Sequence, residues 1–283
     1  YCAALRPRTA VELAPTFVEY GAGLAQVGCR VERYFLHQTQ NFDVDEGFLP
    51  FLEEKKPEAV FLCTPNNPTG VVYSAGTLTR MAEILTEKSR AFGHNIFLVS
   101  DEPYRDIAFD GRAVPYPAAF YPHTLTCFSY SKSLSLPGER LGYVAVRPGC
   151  EGEDILVDMM SQISRFTGHN CPPSIIQRAV SRCLDVTSDL SVYETNMDLL
   201  YNKLKALGFE VERPGGTFYL FPGIEKTGLD EKQFCKALLE RAHILVTPGT
   251  PFGVSGAGHF RIACTVGIEH LKTAFDRMEK LSF

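Results

Sequence analysis

The sequence predicts an α/β protein: a large domain on a mostly parallel sheet flanked by helices, followed by a smaller α+β C-terminal domain. Three observations carry this. From about residue 10 to 150, short β-rich runs alternate with amphipathic helical segments, the order of a parallel sheet covered on both faces. Two runs, Ala59 to Cys63 and Ile96 to Ser100, are apolar almost throughout, as strands buried on both sides must be. After about residue 185 the alternation stops, so residues 1–185 are expected to form the large domain and residues 186–283 the small one.

Taken in order, the first five residues read as the tail of a helix, and Arg6-Pro7-Arg8 separates them from an apolar strand, Ala10 to Leu13. Between the two buried strands, Leu78, Met81, Ala82 and Leu85 recur at helical spacing, with Thr77 as the expected cap and Gly93 as the terminator. Leu125 to Phe128 and Leu141 to Val146 supply two further strands. Beyond the boundary, a helix from Ser191 to Leu207 is stopped by Gly208, and short strands are expected at Thr217 to Phe221 and His259 to Cys264. Helices around Phe234 to Ala242 and Glu269 to Leu281 complete the chain, which shows no internal repeat or flexible linker.

Composition excludes several classes. With 28 basic against 33 acidic residues the net charge is −5, and without Lys/Arg clusters nucleic acid is not an expected partner. No apolar run approaches the roughly 18 residues needed to cross a bilayer, and Tyr1 to Arg8 lacks the order of a signal peptide. The nine cysteines are odd in number and include no C-x-x-C pair, which argues against a disulfide framework and a structural zinc site. Buried thiols, no metal and a cytoplasmic location are the expectation.

Four stretches place polar or charged residues in or just after strands, three of them in loops at strand carboxyl ends, where open α/β sheets bind ligands. Thr64-Pro-Asn-Asn-Pro-Thr-Gly70 follows one buried strand and Asp101-Glu-Pro-Tyr104 the other. Alone, the first reads equally well as a turn and the second as a helix cap. Ser129-Tyr-Ser-Lys-Ser-Leu-Ser-Leu-Pro-Gly-Glu-Arg140 sets Lys132 among hydroxyls with Arg140 eight residues on. Phe260-Arg-Ile-Ala263 carries an arginine inside an apolar strand, where an unpaired charge is costly, so Arg261 needs an anionic partner. An amine for a Schiff base, a carboxylate for a pyridinium, donors for a phenolate, and Ser plus Arg for a phosphate are together what pyridoxal 5'-phosphate requires.

In this order and spacing, the four motifs resemble the fold-type I pyridoxal-phosphate enzymes of the class I/II aminotransferase family, aspartate aminotransferase-like, from about residue 10 to the end. The resemblance implies a seven-stranded type of sheet, with residues 1–185 as the pyridoxal-phosphate-binding domain, and a homodimer. It implies that Lys132 forms the imine with the cofactor and then serves as general acid and base. By the same likeness Asp101 pairs with the pyridine nitrogen, and Asn67 and Tyr104 hydrogen-bond the phenolate. Ser129, Ser131 and Arg140 bind the phosphate, and Arg261 takes the substrate α-carboxylate. Phe17 falls where the family stacks an aromatic on the pyridine ring; a core phenylalanine is the alternative. Arg165 lies near a position from which some aspartate-type members reach a side-chain carboxylate, often across a dimer interface; a surface arginine is the alternative. A phosphate-binding turn and an N-terminal segment of the small domain are expected to precede Tyr1.

The implied reaction moves an amino group from an L-amino acid, aspartate, aromatic or similar, to a 2-oxo acid. The run Ser131 to Arg140 resembles the bacterial aspartate and aromatic branch. Phe17 to Glu32 resembles instead the branch of histidinol-phosphate aminotransferases and threonine-phosphate decarboxylases. A decarboxylase or β-lyase of the same fold is therefore the alternative, since the same electron sink serves whichever Cα bond breaks. A non-catalytic sensing domain of a regulator is a third reading, opposed by the retention of Lys132, Asp101, Asn67 and Arg261 and the lack of a basic DNA-binding module.

Overall fold

The computed structural model describes residues 1–281. Nine strands and ten α-helices organise them. The first part contains α1 (Cys2–Leu5), β1 (Thr9–Ala14), α2 (Glu19–Gln26), β2 (Arg30–Phe35), α3 (Phe48–Lys55) and β3 (Ala59–Cys63). It continues with α4 (Ala75–Phe92), β4 (Phe97–Asp101), β5 (Thr124–Ser129), α5 (Tyr130–Ser133), β6 (Gly142–Val146), α6 (Glu153–Phe166) and α7 (Ser174–Val180). The rest comprises α8 (Leu190–Ala206), β7 (Tyr219–Leu220), α9 (Glu231–Ala237), β8 (Thr247–Pro248), β9 (Phe260–Ala263) and α10 (Ile268–Met278).

The large sheet has the order β2-β1-β3-β4-β5-β6, parallel except for β6, which runs antiparallel to β5. Six strands are present among the described residues, one fewer than the seven-stranded type expected. Because strand order reverses between β1 and β3, the loops leaving β1, β3, β4 and β5 open onto one edge at a topological switch point. Register aligns Cys63 with Asp101 and Asp101 with Cys127, so one carboxylate sits in a row between two thiols at that edge.

Apolar spacing builds the layers. Leu78, Met81, Ala82 and Leu85 of α4 are buried against Val60, Leu62 and Leu98 of the sheet, each large side chain contributing roughly 1.5–3 kcal/mol of burial. The cap of α4 is Ser74, not Thr77: the Ser74 side chain accepts from Thr77 N at 3.0 Å, and Gly93 closes the helix at φ 73°. On the other face, Tyr20 and Leu24 of α2 pack with Ala59, Phe61, Cys63 and Val99.

A second sheet, β7-β9-β8, lies under α8, α9 and α10, with Met197, Leu200, Leu204, Phe234, Phe260 and Phe275 at its centre. Both cores draw on both sides of residue 185: Tyr104, Ile107 and Phe109 join the second, whereas Phe221 and Phe252 join the first. The strand expected from Thr217 begins only at Tyr219, because Thr217 adopts φ 66°, outside the extended region. Among the described residues, no helix is long and apolar enough to cross a membrane, and no group of His, Cys, Asp or Glu could hold a metal.

Candidate active site

The site is assembled from the carboxyl edge of the large sheet and one strand of the small one. The loop after β3 is fully buried from Thr64 to Gly70. Asn66 Oδ1 accepts from Thr69 N and Oγ1, which folds the loop back and presents Asn67. Gly70 is indispensable to that shape. It has φ 72°, and a Cβ there would sit 2.3 Å from Pro214 Cβ, while its carbonyl accepts from Gly215 N and Gly216 N. Gly70→Ala is expected to lower stability by about 2–4 kcal/mol, read as a lower urea midpoint at unchanged slope.

From the small sheet, Arg261 on β9 reaches across and donates from Nη1 to Asn67 Oδ1 at 2.8 Å. Its guanidinium lies between the rings of Tyr219, at 4.2 Å, and Phe252, at 4.8 Å. No carboxylate of the described residues pairs with it. Arg261 is thus oriented and stacked, with its charge left for a ligand.

Asp101 ends β4. Burial pushes its carboxyl up to about 6, opposed by a hydrogen bond that Tyr20 Oη donates to Oδ2. Oδ1 has no hydrogen bond within the described chain. The flanking thiols bring no counter-charge: burial first, then Asp101 itself, pushes Cys63 up to about 12. Tyr104 is buried, its ring edge-on to Phe218 and Tyr219, and burial followed by the charge and hydrogen bonding of Tyr219 drives its phenol upward.

Lys132 stands in α5, directly after β5. Ser129 caps this turn, accepting from Ser131 N and donating to Ser131 Oγ at 2.7 Å. Thr187 Oγ1 and Ser188 N and Oγ all donate to Ser133 O, which ties the turn to the chain before α8. The Lys132 amine lies 5.8 Å from the Phe218 ring centre and has no acidic partner. Burial, then Arg140, then Arg261 hold its pKa below the ordinary lysine value. Arg140 is exposed and donates only to Pro137 O, so it also keeps an uncommitted charge.

Three cations therefore converge with no carboxylate partner among the described residues, by the paired serine hydroxyls and at the sheet edge that also carries the buried Asp101. That donor set fits pyridoxal phosphate and a substrate carboxylate: anions for the cations and a ring nitrogen for Asp101. Phe17 is 37 % exposed, which overturns the core alternative; it meets Tyr20 edge-on at 5.6 Å, beside the acid. Arg165 is exposed at the end of α6 and makes no contact with this group within the chain. Two cavities of about 770 and 780 Å³ open elsewhere, between α1, α4 and α6 and around Tyr34 and Asp43. Convergent chemistry, not cavity size, marks the site.

The sequence reading missed Tyr20, Phe218, Tyr219 and Phe252. Tyr20 follows Phe17 by three residues at the start of α2, a spacing that puts both on one side of a helical turn. The pair Gly215-Gly216 ahead of Phe218-Tyr219 announces a close backbone approach, which the structure uses against Ile107 O and Pro65.

The sequence pattern of the family "Aminotransferase class I and II" matches residues 2–278. The chain belongs to the class I and II aminotransferase family. Among curated relatives it is 30% identical over 278 residues to the aromatic-amino-acid aminotransferase 2 of Thermococcus litoralis, covering 95% of this chain and 68% of that one. It is 28% identical to an aspartate aminotransferase of Pyrococcus abyssi, covering 94% and 68%. The crystal structure of an amino transferase from Eubacterium rectale superposes with a TM-score of 0.90 at 34% identity, over 99% of this chain and 69% of that one. An aromatic aminotransferase from Pyrococcus horikoshii superposes at 0.85 with 26% identity, over 96% and 72%. This aminotransferase chain thus spans about two thirds of the length of these relatives, and its parallel sheet is the fold-type I sheet of the family.

Proposed function

We propose that this chain is a pyridoxal-phosphate-dependent aminotransferase that moves an amino group from an L-amino acid, aspartate, aromatic or similar, to a 2-oxo acid. The observation that carries the reading is the convergence of Lys132, Arg140 and Arg261, from both sheets, at the sheet edge where Asp101 ends its strand, with no acid of the described residues paired to them. When bound, pyridoxal phosphate supplies an electron sink for the electrons released at the substrate Cα.

The chain's own residues do the rest. Ser129, Ser131 and Arg140 bind the phosphate, Arg140 as the charged donor. Asp101 would hold the proton on the ring nitrogen through its free Oδ1, while Tyr20 holds the other oxygen. Asn67 and Tyr104 would donate to the phenolic oxygen, and Phe17 would cover the ring. Arg261, steadied by Asn67 and two aromatic rings, grips the α-carboxylate in a bidentate pair and aims the Cα–H bond at Lys132. Lys132, its pKa lowered by burial and then by Arg140 and Arg261, would take the proton from Cα and return it on the far side of the amino nitrogen, two atoms along. Residues 1–185 serve as the cofactor-binding domain and 186–283 as the small domain. The exposed apolar side chains of α6 and α7, Ile155, Phe166 and Ile175, favour a homodimer, in which Arg165 would serve the neighbouring site. A cytoplasmic location suits the nine free cysteines.

Half-reaction spectroscopy tests the reading. Incubation with aspartate or phenylalanine is expected to convert the bound cofactor to its pyridoxamine form, with release of the matching 2-oxo acid. Carbon dioxide release without that conversion would overturn the aminotransferase assignment in favour of a decarboxylase.

A further inference from the structure

Thr217 is buried, non-glycine and held at φ 66°, a conformation that β-branched residues rarely adopt. Its N–H donates to Ile107 O at 2.9 Å, Phe109 N donates to Gly215 O, and Gly216 bridges Ala108. This turn is therefore locked onto the segment that follows Tyr104. What it delivers is the pair Phe218-Tyr219. Tyr219 pairs with Ala263 across β7 and β9, so Arg261 is its diagonal neighbour on the same face. The Tyr219 ring lies under the guanidinium at 4.2 Å and 5.9 Å from the Tyr104 ring, edge to face. One side chain thus touches two groups that come from different sheets and have different tasks.

We infer that Tyr219 is a positioning residue: its ring face fixes Arg261 for the substrate carboxylate. The inference rests on the aminotransferase reading and adds a separable prediction, because the ring face can be kept or removed independently of the hydroxyl. Tyr219→Phe removes the hydroxyl and keeps the ring; Tyr219→Leu removes both.

The test uses the chain loaded with pyridoxal phosphate, with the pH titration of the cofactor's absorbance as one readout. The other is the calorimetric affinity for 3-phenylpropionate, a carboxylate without an amino group to react. In Tyr219→Phe, which keeps the ring, the absorbance midpoint is expected to stay at the wild-type value and the affinity within about twofold of wild type. In Tyr219→Leu the cofactor stays bound and the carboxylate binds roughly fivefold to thirtyfold more weakly, the range of a partly desolvated cation–π contact. Wild-type affinity in Tyr219→Leu, or an equal weakening in Tyr219→Phe, overturns the inference. So does an equal loss of cofactor content and thermal stability in both variants, the mark of a purely structural side chain. If the wild-type chain itself shows no titrating band, the underlying reading falls and this inference with it.

Discussion

Lys132→Ala is expected to abolish transamination, lowering the rate by roughly 10⁴-fold or more, because under the proposed function it removes both the covalent attachment and the amine that shuttles the Cα proton. The loss should come without a loss of stability. The Lys132 amine is half-buried, has no carboxylate partner, and faces the charges of Arg140 and Arg261. Removing it relieves a like-charge cluster, so the thermal midpoint of the cofactor-free chain should stay level or rise. Ser129, Arg140 and Asp101 remain, so the variant should still take up pyridoxal phosphate, now released by dialysis. The wild-type rate should climb with pH on its acid side, through the lowered pKa of this amine. Measuring kcat, cofactor retention and thermal midpoint on one preparation checks all three; a lower midpoint with the cofactor lost would make Lys132 a structural residue instead.

The parts of this site legible in the sequence are those whose chemistry clashes with their setting. Arg261 stands in an apolar strand and Lys132 in a serine-rich turn, so each demands a reason that propensity does not give. Asp101 and Asn67 could be placed because β3 and β4 are so uniformly apolar that their ends are unmistakable. Tyr20, Tyr219 and Phe252 look in sequence like any other half-buried aromatics. Their roles depend on contacts across 81 positions from Tyr20 to Asp101 and across two strands from Tyr219 to Arg261, and no local pattern encodes such a contact. The same limit explains the cap of α4: Ser74 and Thr77 are both good capping residues, and only the backbone angles decide between them. Thr217 is the converse case, where tertiary hydrogen bonds to the chain after Tyr104 override a β-branched residue's preference for extended backbone.

Asp101→Asn should separate stability from function. In the cofactor-free fold, burial raises the Asp101 carboxyl from 3.8 to about 6. A raised carboxyl binds its proton more tightly folded than unfolded, so its stabilising contribution is full below pH 3.8 and is lost as pH rises through about 6. Above that, the ionised group is a net burden of about 3 kcal/mol, a shift of some two units at 1.36 kcal/mol each, reduced by whatever water the site admits. The asparagine variant lacks this burden: at pH 8 its cofactor-free form should unfold at higher urea than wild type, and at pH 4 the gap should close. Function runs the other way. A neutral amide cannot hold a proton on the ring nitrogen, so the electron sink weakens, and kcat should fall about 10²-fold to 10⁴-fold. Wild type should show the same dependence through titration, with cofactor affinity weakening as pH falls below about 6, where Asp101 becomes neutral. If Asp101→Asn instead unfolded at lower urea across this whole range, Asp101 would be a structural acid held for the sake of Tyr20, and the ring nitrogen would need another partner.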